Sequence, residues 1–460
     1  MISSFYKSCH KIHFMIKTPI PYFDTTEIVM ANEKTFPIVK PKLQWLMWAI
    51  SVLFVFYKYV IEVSPSIMTK DLMLDFSLNA SSLGHLAASF YYSYMLMQIP
   101  AGILIDSIGT KKITTIAIAL CAMATLIFSK TTSVEVAFAS RFIIGLCATF
   151  AILNTLKISS NWFHPSKFAL LTGLMLSLGM LGSIFGQTPL AYFLHNFGWR
   201  ESITYLSWIG FALALLFLLV LREKPKHLRH YNVTQEPKHK TPLLQSLIAI
   251  IKKPQVWLIS IFSGLAFAPV MAFGGLWGVS FLETKFGFSA QKSASMTSLI
   301  FLGFALGAPL FGWLSNRIGK RKPFMFAGIL TSFCFLTYVI YAPTLTFFWG
   351  GTCLFLFGFS VSAFLISFTV IHEINSPLVT ATAIGFMNLF NALFGAITDP
   401  LVGAVLDSGF GRSVVSAAFT AKDYEIALSF LPIYLLACFG LLFTIKETYC
   451  KQLIEERVNT

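Results

Sequence analysis

Four ionisable side chains lie inside long apolar stretches of this 460-residue chain: Lys58, Glu62, Arg141 and Asp399. A charge in hydrocarbon is costly, so each must pair, face a polar cavity or sit near a membrane surface. Lys58 and Glu62 are four residues apart and share one helical face. They form either a self-neutralised pair or a site for a solute or a proton. Arg141 stays charged and reads carboxylates through paired hydrogen bonds. It contacts a solute or a gate, or it ties two helices together. Asp399 precedes Pro400, with Asn388 and Asn391 two to three turns earlier. Either this carboxyl is held neutral and titrates during a cycle, or it bonds backbone groups freed by the proline.

The uncharged candidates are less specific. Tyr91, Tyr94 and Gln98 follow i, i+3, i+7 spacing, which puts two hydroxyls and an amide on one face. A solute cavity uses such a face, and so does plain aromatic packing. Asn154 and Gln187 add polar lining. His85 reads as interfacial, while Lys157, His372 and Glu373 read as gating or snorkelling groups at the inner face. The expected substrate-binding set is therefore Lys58, Glu62, Tyr91, Tyr94, Gln98, Arg141, Asn154, Gln187, Asn388 and Asn391. Glu62 and Asp399 are the expected proton-coupling groups.

Other chemistry finds no residues to carry it. There is no glycine-rich phosphate loop of the ATPase type, so ATP hydrolysis in cis is not expected. No metal-ligand spacing or nucleophile triad can be assembled. No enzyme activity, metal or cofactor is expected. Of 7 Cys, Cys121, Cys147, Cys334, Cys353 and Cys438 fall in apolar segments and read as small packing side chains.

The elements that position these groups must be membrane helices. Hydrophobic residues make up 56% of the chain and charged ones 12%, with a mean hydropathy of +0.73. A soluble domain is about a quarter charged, so most of this surface faces lipid. A spanning helix needs about 20 apolar residues. That length gives twelve segments: 45–67, 82–105, 112–129, 134–157, 168–195, 201–221, 255–282, 293–315, 323–342, 345–371, 378–406 and 425–446. The fold class is an all-α membrane protein of two six-helix bundles, 45–221 and 255–446. Residues 222–254 are a basic, proline-broken linker with a short interfacial helix at Leu243–Ile251. Residues 1–44 and 447–460 are cytoplasmic ends.

The net charge of +14 is topological, and nucleic acid is not an expected partner. Lys and Arg cluster on one side of the segments, which puts both termini in the cytoplasm. The chain is expected as a multi-pass protein, in the inner membrane for a bacterial source. Residues 1–44 carry no apolar core of signal-peptide length. Met30 opens an ordinary protein start, so residues 1–29 are expected to be an optional extension, which mapping the N-terminus of the expressed protein checks.

One stretch recurs. Gly102-Ile-Leu-Ile-Asp106-Ser-Ile-Gly109-Thr-Lys111-Lys112 matches Gly312-Trp-Leu-Ser-Asn316-Arg-Ile-Gly319-Lys-Arg321-Lys322 at one constant offset. Leu171-Thr-Gly173-Leu-Met175 likewise matches Ala383-Ile-Gly385-Phe-Met387. Two matches in the same segment positions indicate an internal duplication. Gly102 allows close helix approach, Asp106 can cap a helix or pair with a cation, Gly109 turns tightly, and the lysines hold the loop at the inner face.

This stretch resembles the loop signature of the major facilitator superfamily, between helices two and three and again between eight and nine. The resemblance covers residues 45–446. Arg141-Phe-Ile-Ile-Gly145, the glycines 173, 179, 182 and 186, and Gly198-Trp199-Arg200 are similar to further family patterns. It implies a secondary transporter whose halves rock about a central site, lined in part by the first helix. The loop residues Gly102, Asp106, Gly109, Lys111, Gly312, Gly319 and Arg321 would form conformational latches. Asn316 stands where the family has an acid, so the second latch is expected to be weaker. The Tyr-rich second segment and Ser64-Pro65-Ser66 resemble the branch of the lysosomal dipeptide transporter and its bacterial relatives. The Arg141 pattern also suits organic-anion and sugar-acid symporters. The expected partners are a small polar or charged solute, the bilayer and protons, in a monomer. The competing readings are a non-transporting receptor or scaffold on this fold, and a drug-efflux antiporter. Against the latter, Gln187 and Thr188 replace an expected Gly-Pro pair.

Overall fold

The computed structural model describes residues 41–164, 167–224, 243–408 and 419–451, and these are helical with short turns. The segments expected from apolar length correspond to α1 (Pro41–Val63), α2 (Ala80–Ile108), α3 (Thr110–Lys130), α4 (Val134–Trp162), α5 (Phe168–Phe185) and α6 (Thr188–Val220) in the N-terminal half. The C-terminal half follows with α7 (Pro254–Pro269), α8 (Ala290–Ile318), α9 (Lys322–Tyr341), α10 (Phe347–Val361), α11 (Pro377–Ser408) and α12 (Phe430–Thr444). The short helix Leu243–Ile251 precedes α7 as expected. The polar extension expected to be optional lies outside the described residues, as does most of the linker.

Several segments read as continuous are interrupted, and each break has a local cause. The fifth ends at Phe185, because Gly186 and Gln187 form a turn. The chain restarts at Thr188 and kinks at Gly198, whose φ of 76° an L side chain seldom adopts. The seventh passes Pro269 into a π-helical stretch, Val270–Trp277, and resumes as Gly278–Phe286. A proline removes a backbone donor, and a π-turn re-seats the ladder around it. The tenth continues past α10 through a 3-10 turn to Ile366–Glu373.

Small residues set the packing within each half. A Cβ on Gly145 of α4 would strike the carbonyl of Phe90 and the hydroxyl of Ser93 on α2. Gly358 of α10 meets the carbonyl of Ile300 on α8 in the corresponding place. Gly179, Gly182 and Gly186 face Tyr59, Phe56 and Val60 of α1, while Gly173 on the same helix meets no neighbour within 4 Å. Backbones that approach this closely gain dispersion contacts that lipid does not replace. Gly145→Val should therefore abolish monodisperse detergent-extracted protein, since overpacking costs about 1–3 kcal/mol even where a core relaxes. Gly173→Ala, where a Cβ meets nothing within 4 Å, should leave it unchanged in gel filtration.

The two halves are joined at the end of the bundle where α2 begins. There Thr69 bonds Ser280 at 2.5 Å, Thr188 bonds Ser298 at 2.6 Å, and Lys70 pairs with Glu283 at 2.5 Å. The opposite end carries the repeated loops. A Cβ on Gly102, Gly173, Gly312 or Gly385 would meet no atom within 4 Å. Gly102 was expected to admit a neighbouring helix. A Cβ there meets open space instead.

Candidate functional site

Lys58 and Glu62 are buried on α1, where the Lys58 ammonium reaches the rings of Phe90 and Tyr94 on α2. They form the intrahelical ion pair their spacing allows. The Lys58 ammonium also lies 3.7 Å from the Tyr59 ring centroid and 5.3 Å from that of Tyr94. The Phe90 ring lies 5.7 Å away, and aromatic faces attract a cation, so this charge is held by three rings as well as by its partner. Breaking such a buried pair would leave an uncompensated charge.

Arg141 extends from α4 toward the same place. Its Nη1 donates to the carbonyl of Ile61 at 3.0 Å, one residue from Glu62. Its guanidinium lies 5.5 Å from the Phe90 ring centroid. Only 2% of the residue is exposed, yet Nε has no hydrogen-bond partner among the described residues. Tyr91 on α2 lies beside Glu62 and within electrostatic reach of Arg141 and Asp399.

Asp399 brings the C-terminal half into this cluster. It is 2% exposed, and its Oδ1 likewise has no hydrogen-bond partner among the described residues. Pro400 has no amide to donate to the carbonyl of Ala396, four residues back, and that carbonyl accepts instead from the Tyr92 hydroxyl at 3.4 Å. That backbone group is satisfied without the carboxylate. The cluster thus holds two cations and two anions, with one donor on Arg141 and one acceptor on Asp399 unpartnered across the seam. Buried polar groups normally find partners, and these two atoms have none among the described residues.

The other expected lining residues are scattered. Tyr94 is half-buried and stacks on Phe90 at 6.0 Å. Gln98 is half-buried further along α2. Asn388 and Asn391 bond each other at 3.4 Å, and Ser263 of α7 donates to Asn391 at 2.7 Å. Asn154 is fully enclosed, and neither atom of its amide has a partner among the described residues. Gln187 lies in the seam between the halves. Its amide donates to Ser66 and to the carbonyl of Gly274, and its oxygen accepts from Ser298 at 3.4 Å. His85 bonds Tyr92 at 3.1 Å, and Tyr92 donates to the carbonyl of Ala396 at 3.4 Å. A cavity of about 540 Å³ opens beside His85 and Phe138 but does not include the charged cluster.

The repeated loops are latched by acids that sequence reasoning missed. Gly109 turns with a φ of 99°. Beside it Glu223, just past α6, accepts from the Lys111 amide at 2.8 Å. Glu447, just past α12, accepts from the amides of Arg321 and Lys322 at 2.8 Å each. Each carboxylate caps a helix N-terminus, where the dipole favours a negative charge. The available signal was a cation-Glu pair after the sixth and twelfth segments, Arg222-Glu223 and Lys446-Glu447. Partial burial pushes the Glu447 carboxyl up, but four backbone amides outweigh this and hold it below the ordinary glutamate range.

Asp106 pairs with Lys157 at 2.8 Å, both substantially exposed. The second latch was expected to be weaker, and the structure differs. Arg321 is buried, pairs with Glu373 at 2.6 Å and donates to Asn316 at 2.6 Å and Ser315 at 2.8 Å. Thr448 also donates to Glu373 at 2.5 Å. The acid lost at position 316 is supplied from the end of the tenth segment. An exposed pair contributes about 1 kcal/mol or less. Asp106→Ala should therefore leave equilibrium solute affinity within about twofold, while slowing exchange between conformations severalfold. Binding titration beside stopped-flow kinetics reads both, and a large loss of affinity would move Asp106 into the solute site.

Known proteins share both pattern and fold. The Major Facilitator Superfamily model matches residues 46–398. An uncharacterised transporter, YybO of Bacillus subtilis, is 25% identical over 86% of this chain and 91% of its own. A probable galactarate/D-glucarate transporter, GudP of Escherichia coli, is 21% identical over 78% and 86%. The lysosomal dipeptide transporter MFSD1 of Danio rerio is 23% identical over 76% and 78%. Among solved structures, a bacterial homolog of the human lysosomal transporter Spinster, inward-facing and unoccupied, superposes with a TM-score of 0.74. It is 17% identical and covers 88% of this chain and 97% of its own. With a family match spanning most of the chain and this helical architecture, the protein belongs to the Major Facilitator Superfamily and is a multi-pass membrane transporter of that family.

Proposed function

We propose that this protein carries a small organic anion, of the sugar-acid or hydroxy-acid class, together with a proton. The observation that carries the reading is the buried Arg141 guanidinium with an unpartnered Nε, facing a charge cluster completed by Asp399. Guanidinium is the group that binds a carboxylate through two parallel hydrogen bonds. A hydroxyl elsewhere on the solute would donate to the unpartnered Asp399 oxygen. Lys58 is already neutralised by Glu62, which leaves Arg141 and Asp399 as the working pair.

Charge counting gives a coupling rule. With Asp399 ionised the four groups sum to zero, and an anion makes the site net negative. With Asp399 protonated they sum to plus one, and an anion makes it neutral. A low-dielectric site favours the neutral filled state, so solute and proton bind together. Two relatives support the substrate class by name, GudP and the Bacillus subtilis hexuronate transporter. The lysine and arginine distribution supports an orientation with the repeated loops and both termini in the cytoplasm. The conformation described is then open inward, and the carrier works as a monomer. The dipeptide reading keeps two supports, the name of the MFSD1 relative and the paired opposite charges that would hold a zwitterion.

The test is a thermal-shift screen of purified protein at two pH values. Sugar acids and hydroxy acids should raise Tm, more so at acid pH, while their methyl esters and neutral sugars should not. Equal stabilisation by the neutral compounds would overturn the anion reading, and stabilisation by dipeptides alone would favour the alternative.

A further inference from the structure

Asp407 occupies a position that makes no sense for its own helix. It lies in the last turn of α11, where the dipole is negative and an acid is unfavourable. Its carboxylate instead reaches the other half of the molecule. Oδ1 accepts from the amide of Ala80 at 3.0 Å, and Oδ2 accepts from that of Ser81 at 2.7 Å. Those are the first two amides of α2. The next, Ser82, is capped within the N-terminal half by its own N-cap residue, Asn79, at 2.8 Å. The cap of α2 is thus shared: one residue from its own half and one from the opposite half.

The surroundings show that this contact belongs to the sealed state. A Cβ on Gly403, one turn before Asp407, would strike the carbonyl of Ala80. A Cβ on Gly84 would meet the Asp399–Pro400 backbone. The helices touch through main chain here, so the Asp407 cap cannot survive if they part. Opening at this end strips two amides of their acceptor and returns the aspartate to the wrong end of its own dipole.

We propose that Asp407 is a positioning residue of the transport cycle, a cap lent by one half to the other that exists only while the far end is closed. It touches no solute and acts by setting the ratio of the two conformations. The proposal rests on alternating access but not on the solute assigned above. The experiment is therefore done without solute.

Spin labels at Thr132→Cys and Thr344→Cys, both exposed and in turns of opposite halves at this end, report the separation in a background lacking the native cysteines. The protein with Asp407 should show one short-distance population. Asp407→Asn loses the charge and should raise the ratio of a longer-distance population about tenfold, as expected for charge-assisted bonds of about 1.4 kcal/mol in sum. Asp407→Glu should restore part of the short-distance population. Asn79→Ala removes a cap from the same helix without crossing the seam, and should lower Tm without changing the distances. An unchanged distance distribution in Asp407→Asn, or an equal shift in Asn79→Ala, would overturn the proposal and leave Asp407 a static cap. A failure of every carboxylate to bind would instead overturn the solute assignment and leave this result standing.

Discussion

Arg141→Ala should reduce uptake of the solute at least about thirtyfold. Removing one member of a buried, hydrogen-bonded charge set costs about 2–5 kcal/mol, and about 1.4 kcal/mol is tenfold. Here the loss is twofold in kind. The solute carboxylate loses its bidentate partner, and Glu62 and Asp399 lose a neighbouring cation. Because the second effect also lowers stability, Arg141→Lys separates the two. Lysine keeps the charge but not the planar fork, so folded protein should be retained, with KM raised and the maximal rate less affected. Near-normal flux in Arg141→Ala, in protein that runs as a monodisperse species, would reduce Arg141 to a tie between α4 and the Ile61 carbonyl.

Asp399→Asn should abolish accumulation driven by a proton gradient and retain solute exchange. The amide copies the shape and charge of the protonated carboxyl. Under the charge rule the site then accepts an anion at every pH and never needs a proton to do so. Binding should lose its pH dependence, and counterflow between loaded vesicles and medium should continue. Net uphill transport should fall to the level of facilitated diffusion. Glu62→Gln is expected to lose uphill transport too, but with damage to stability, since it leaves the buried Lys58 without its partner. Unchanged pH dependence in both variants would place coupling elsewhere or show that no proton is carried.

Much of the architecture was legible because a bilayer enforces it. Apolar length alone located the spanning segments, and the Gly102–Lys112 repeat located the duplication. The Lys58–Glu62 pair was legible from spacing within one helix. What the chain hid depends on how the halves dock. Nothing local to Asp399 says that it lies near Arg141, more than two hundred residues earlier. Gln187 looks like cavity lining on its helix but clasps Gly274 and Ser298 across the seam. The acid that replaces position 316 comes from Glu373, at the end of a different segment. Asp407 carries no local signal, because a helix end tolerates most residues, and only the partner helix reveals its use.

The most direct measurement is uptake of a labelled sugar acid into proteoliposomes, with and without an inward-directed proton gradient. The account predicts accumulation above equilibrium with the gradient, equilibration without it, and neither in Arg141→Ala. Ligand-induced stabilisation with no flux under either condition would contradict it.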